Sequence, residues 1–148
     1  MALTEKQKGV LWRMIAGAII AIVIVACGSF LDPFNLDSPA SLTERLSLAI
    51  QFLLLAAIFI VISVGRLAKH RFFSPGDIDG GGFSEDTWRA KTLQSLLQNT
   101  LEQFCIASSV YLAWAAIMPG QTFAVIPLAA IVFSIGRILF FAGYSWIQ

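Results

Sequence analysis

Four long apolar segments constrain this chain more than any other feature. They lie within residues 10–31, 42–71, 87–117 and 121–146, and each is long enough to hold a membrane-crossing helix. Such a helix needs about 20 predominantly apolar residues, so four of them use most of the 148 available. Composition agrees: 57% of residues are hydrophobic and 13% charged, whereas a soluble domain carries roughly 25% charge. The expected fold class is an all-α membrane protein, a four-transmembrane-helix bundle forming one integral membrane domain over 1–148. No length is left for a separate soluble catalytic domain. A net charge of +1 offers no basic face for nucleic acid. Cys27 and Cys105 stand inside apolar segments without close Cys or His partners, which suits neither a disulfide framework nor a metal site.

Local signals bound the helices. Thr4-x-x-Gln7 and Ser41-x-x-Glu44 read as capping boxes that open the first and second. Pro33, Asn35, Asp37, Ser38 and Pro39 mark the first connection as a loop. The second connection, 72–86, is the longest polar loop, and its part from Ser74 to Asp86 holds Pro75, four glycines and four acidic residues. Pro119-Gly120 is a tight turn, and Pro127 is expected to kink the last helix without breaking it. The segment from Lys6 to Cys27 has a second reading as a signal peptide ending in a lipoprotein-type box, but more apolar segments follow it instead of a polar secreted domain.

Charge sets the orientation. In the four-span arrangement nine of the ten Lys and Arg residues fall on one side, and only Arg45 on the other. The positive-inside rule then places both termini and the glycine-rich loop in the cytoplasm, with a bacterial inner membrane as the expected location.

The spans also carry polar residues that lipid contact alone would not favour. On the third helix Lys91, Gln94, Ser95, Gln98, Asn99, Glu102, Cys105 and Ser109 recur at three- and four-residue steps, which gathers them on one stripe. Ser134, Arg137, Phe141, Tyr144 and Gln148 share a face of the fourth helix, and Ser63, Arg66 and His70 a face of the second. Counted from the outer ends at about 1.5 Å per residue, Glu102, Arg137 and Arg66 lie about 25–27 Å deep. They therefore share a level near the cytoplasmic boundary. Intramembrane charges are functional-site candidates by default. The plainer reading is a structural Glu102–Arg137 pair with Asn99 as an interhelical hydrogen-bonder. His70, beside Lys69 and Arg71, reads as a headgroup contact, and the four tryptophans as interfacial belts.

The run Gln98-Asn99-Thr100-Leu101-Glu102 resembles the Asn-x-x-Glu signature of the MAPEG family, the membrane-associated proteins of eicosanoid and glutathione metabolism. Gly136-Arg137-Ile138-Leu139-Phe140-Phe141-Ala142-Gly143-Tyr144 resembles that family's later motif, an Arg with a Tyr seven residues on, and Gly81-Gly82-Phe83-Ser84-Glu85 is similar to the loop of bacterial members. The resemblance spans about residues 46–146. It implies a homotrimer of four-helix protomers with glutathione, as co-substrate, between subunits near the cytoplasmic face. Asn99 and Glu102 would contact its backbone, with Gln98 in the same set. Arg137 would hold Glu102 or a peptide carboxylate, Tyr144 would donate a hydrogen bond, and Arg66 would meet glutathione's carboxylates. The family's first three helices match the second to fourth here. This leaves an additional N-terminal helix and no C-terminal one, as in a circular permutation, with Arg13 or Lys8 as a replacement cation.

This chain departs from the pattern at Ser95 and Gln98, where enzymatic members often carry arginine, and at Phe140, where Tyr or His is common. The arginine that stabilises the glutathione thiolate in several enzymes would fall beyond Gln148. Two functions follow: a glutathione-dependent transferase or peroxidase acting on a lipophilic small molecule, or a non-catalytic scaffold that binds lipid or peptide. A transporter fits less well, because no inverted repeat or broken helix pair is present. No metal is expected.

Overall fold

The computed structural model describes residues 4–34, 41–78 and 87–145, with side chains described as far as Gly143. Four helices dominate: α1 (Glu5–Phe30), α2 (Leu42–Phe73), α3 (Trp88–Ile117) and α4 (Val125–Ser145), with single 3-10 turns at Pro75–Asp77 and Gly120–Thr122. There is no strand among the described residues. All four helical segments are long and apolar enough to cross a membrane, and the fold is an all-α four-helix membrane bundle. The turn residues at 35–39 and the glycine-rich run at 81–85 lie outside the described residues.

Each start has a local cause. Thr4 Oγ1 accepts the Gln7 N–H at 3.3 Å and Gln7 Oε1 accepts the Thr4 N–H at 2.8 Å. This reciprocal box starts α1 at Glu5, ahead of the apolar segment. Ser41 Oγ accepts the Glu44 N–H at 3.1 Å, and Thr87 Oγ1 the Ala90 N–H at 3.3 Å. Asp32, at φ 36°, adopts the left-handed conformation just past the end of α1.

The ends differ from expectation in two places. α2 continues through Phe72 and Phe73, because neither residue breaks a helix. It stops at Ser74, which is extended, since a residue preceding proline is steered out of the helical region. α4 begins at Val125, not near Gln121, because Gly120–Thr122 closes as a separate turn. Pro127 therefore sits in the first helical turn, where no intrahelical bond needs its missing N–H. The expected source of a kink is absent.

α2 and α3 form the main antiparallel pair, and α4 packs on α2 and nearly as much on α1. Their core joins Ala49 and Leu53 to Ala107, Tyr111 and Ala115, with Phe123, Ile126 and Ala130 completing it. Small residues at such contacts let helix backbones approach closely. At the outer turn Arg45 Nη1 donates to the Met118 carbonyl at 2.6 Å, and Trp114 Nε1 to the Thr122 carbonyl at 3.2 Å. The one basic residue on that side thus caps the end of α3.

α1 docks differently. It meets α4 and the Gly120–Thr122 turn through its C-terminal end. A Cβ on Gly28 would lie 2.6 Å from Val125 N and Cα, so only glycine permits this approach. The rest of α1 is largely exposed and makes no extensive contact with α2. Within the chain it flanks α4 without closing the bundle. Lys8 Nζ pairs with Glu5 at 2.8 Å on α1 itself, and no described contact brings Arg13 to the polar residues of α3 and α4.

α2 has 32 residues and α3 has 30. At about 1.5 Å per residue both exceed the ~30 Å hydrocarbon core. Each therefore has turns that must lie beyond the apolar layer, and the end where α2 finishes and α3 begins, with Lys69, Arg71, Arg89 and Lys91, is the one whose composition suits water.

Candidate functional site

One interhelical bond organises the polar stripe. Arg137 Nη1 donates to Asn99 Oδ1 at 3.0 Å, joining α4 to α3. The guanidinium also lies 4.6 Å from the Phe140 ring centre and 5.8 Å from that of Phe133. Aromatic faces attract a cation without neutralising it. Phe133 and Phe141 in turn meet Phe59 of α2 edge-on, which fixes α4 against α2 at this level. Among the described residues Arg137 forms no ion pair.

Glu102 is placed differently from the structural-pair reading. It is exposed on the outer face of the bundle, and Gln98 Nε2 donates to its Oε1 at 3.1 Å. The stripe on α3 thus divides. Asn99 turns inward to Arg137, while Gln98 and Glu102 form an outward pair one helical turn apart. Gln94, Ser95 and Gln103 are exposed as well. A lipid-facing helix has no use for such a face, so this surface is chemically suited to another subunit or a polar ligand.

Arg66 does not join this group within the chain. It lines a separate cleft with Lys69, His70 and Arg89 at the end of the α2–α3 pair. The backbone of Tyr144 belongs to α4, but its side chain lies outside the described residues. Of the expected set, the structure brings Asn99 to Arg137 and Gln98 to Glu102, and leaves Arg66 apart.

A groove of about 510 Å³ runs between α1, α3 and α4. Gly17, Ile24, Val110 and Phe133 give it apolar walls, and Arg137, Gln103 and Tyr111 supply polar groups. A mostly apolar cleft with a few convergent polar groups is the usual form of a small-molecule site.

A second polar cluster was not legible in the chain. Asp77 is fully buried, accepting the Thr87 N–H on Oδ1 and the Thr87 hydroxyl on Oδ2, each at 2.8 Å. His70 Nε2 lies 2.9 Å from the same Oδ2. His70 is therefore a hydrogen-bond partner of a buried carboxyl group and not a free headgroup contact. The Thr87 N–H holds the Asp77 carboxyl below its ordinary value against the opposing effect of burial, helped by the Thr87 hydroxyl and by His70. The available signal was Pro75-Gly76-Asp77, a turn followed by a short acid that can reach a helix start. No group of His, Cys, Asp and Glu among the described residues could hold a metal ion.

No curated protein and no solved structure matches this chain. Residues 46–148 match the MAPEG family, a stretch that takes in α2, α3 and α4 and leaves α1 outside it. With more than two thirds of its length matched, including both the Asn99–Glu102 run and Arg137, the chain belongs to the MAPEG family.

Proposed function

We propose that the protein is a glutathione-dependent transferase or peroxidase. In this reading it works as a homotrimer in a bacterial inner membrane, with both termini in the cytoplasm, and acts on a lipophilic substrate at subunit interfaces near the cytoplasmic face. The observation that carries this reading is the Asn99–Arg137 bond beside an outward Glu102. It leaves a guanidinium with spare donors and a carboxylate with spare acceptors on one level of adjoining helices.

The residues fit glutathione group by group. Glu102, oriented by Gln98, suits the γ-glutamyl ammonium, since charge-assisted hydrogen bonds are about twice as strong as neutral ones. Arg137 suits an anion, either a glutathione carboxylate or the thiolate. A thiol with an ordinary pKa near 8.5 needs a nearby cation to ionise at neutral pH. In a trimer, Arg66 of a neighbouring protomer and the Tyr144 hydroxyl complete the set. The thiol loses its proton to solvent, and in the transferase the thiolate sulfur attacks the electrophilic carbon of an acceptor lying in the apolar groove, forming a C–S bond as the leaving group departs as an anion with its bonding pair. In the peroxidase the sulfur attacks a peroxide oxygen instead, the O–O bond breaks to release the alcohol, and a second glutathione reduces the sulfenic acid to the disulfide and water. Alignment of the two reactants supplies most of the rate gain.

Ser95 and Gln98, which stand where enzymes of the family often carry arginine, and Phe140, where a hydrogen-bonding Tyr or His is common, favour a second reading: a scaffold that binds lipid or peptide without turnover. Glutathione titration of the purified protein, followed by turnover of a generic electrophile, separates the two. Binding with turnover supports the enzyme. Binding without turnover supports the scaffold, and no binding sinks the glutathione reading.

A further inference from the structure

We propose that the cleft between the end of α2 and the start of α3 binds a phosphate oxyanion, and that its depth favours the headgroup of an anionic lipid in the adjoining leaflet. The cavity measures about 440 Å³. Arg66, Lys69, His70 and Phe73 recur at three- and four-residue steps and present one face of α2 to it, while Arg89 and Leu93, four apart, supply the α3 wall.

Three permanent cations meet there. Arg66, Lys69 and Arg89 form no ion pair with any described residue. Asp77, the acid of this end among the described residues, contacts none of the three, because its oxygens face Thr87 and His70. Like charges gathered around one cavity repel, and an anion between them relieves that repulsion.

The walls are held without a ligand. Arg71 Nη2 donates to Gln94 Oε1 at 2.8 Å, tying α2 to α3 beside the cleft, and the His70–Asp77–Thr87 cluster ties them at its end. A preformed site loses little freedom on binding. Three separate cations suit a tetrahedral oxyanion with several charged oxygens better than a single carboxylate.

Position favours a lipid source. The cleft lies where both helices leave the hydrocarbon layer, and Phe72 and Phe73 are 75% and 72% exposed beside it. An acyl chain can follow that apolar surface while its phosphate sits among the cations. Basic pockets between membrane helices bind anionic headgroups in this way.

The test uses the full-length protein, with Arg66 left intact because glutathione binding invokes it. Lipid retained through purification is counted by native mass spectrometry after exposure to phosphatidylglycerol or phosphatidylcholine vesicles. Inorganic phosphate is titrated separately against chloride at equal ionic strength. Near a surface each cation is worth about fivefold in anionic-lipid affinity, so Lys69→Gln with Arg89→Gln lowers phosphatidylglycerol retention by about 25-fold. Lys6→Gln with Lys8→Gln, which removes the same charge outside the cleft, leaves it unchanged. Lys69→Arg with Arg89→Lys restores retention and guards against a folding defect.

Retention of phosphatidylglycerol over phosphatidylcholine assigns the headgroup. Phosphate binding that depends on the cleft, without lipid retention, assigns a soluble phosphate. Binding of neither probe, or equal loss in the Lys6/Lys8 variant, overturns the site. Glutathione affinity is measured on the Lys69 and Arg89 variants and stays unchanged, so failure here is distinguishable from failure of the glutathione reading.

Discussion

Arg137 Nη1 lies 3.0 Å from Asn99 Oδ1, while Glu102, one turn further along α3, points away from both and takes a hydrogen bond from Gln98. A cation held by an amide keeps its full charge, whereas a carboxylate partner would cancel it. The bond therefore positions the guanidinium without neutralising it, and makes the arrangement testable residue by residue.

Asn99→Leu removes the acceptor and leaves a half-buried guanidinium without its interhelical partner. Hydrogen bonds to charged groups are worth about 1.5–3 kcal/mol. The variant is expected to lose stability of that order in detergent, measured by thermal unfolding. An unchanged melting temperature would show that the bond does not hold α3 to α4.

Glu102→Gln keeps the shape and removes the charge. Because its partner Gln98 is outward-facing too, stability should change by less than about 1 kcal/mol. Glutathione affinity, read by calorimetry, should fall at least tenfold, as expected for a charge-assisted contact. Normal affinity with failed oligomer assembly would instead assign Glu102 to the subunit contact.

Gly28→Leu places a side chain where Val125 backbone atoms already stand. Overpacking costs typically about 1–3 kcal/mol, and here α1 can escape by undocking from α4. A cysteine pair bridging the ends of α1 and α4 should cross-link in the parent and lose cross-linking in the variant, with α2–α3 contacts unaffected.

The Asp77 cluster imposes an acid limit. Its carboxyl titrates below the ordinary 3.8. The stabilisation it gives is complete above that value and is lost as pH falls through the lower folded-state pKa. Hydrogen exchange at the first turn of α3 should thus accelerate below about pH 4 in the parent. Asp77→Asn should exchange faster at neutral pH and lose this acid dependence. A flat profile in the parent would contradict the linkage.

Much of the architecture was legible because membrane helices obey a length rule. The caps at Thr4 and Ser41 and the two family motifs are all local patterns. Which partner Arg137 chose was not local. It depends on the rotation of α3 about its axis, and residues 99 and 102, about 60° apart on a helical wheel, both remained eligible. His70 was misread for a similar reason, since its partner Asp77 lies beyond a helix end in a turn whose closure depends on Thr87. The register of α4 slipped because proline and glycine mark a turn without giving its length.

A single carboxylate pins the last turn of α2, through His70, and the cap of α3, through Thr87. The chain leaving Asp77 and returning at Thr87 therefore begins and finishes at one knot. Its length is uncoupled from the helix pair, and each doubling of such a loop adds only about 0.6 kcal/mol of closure entropy.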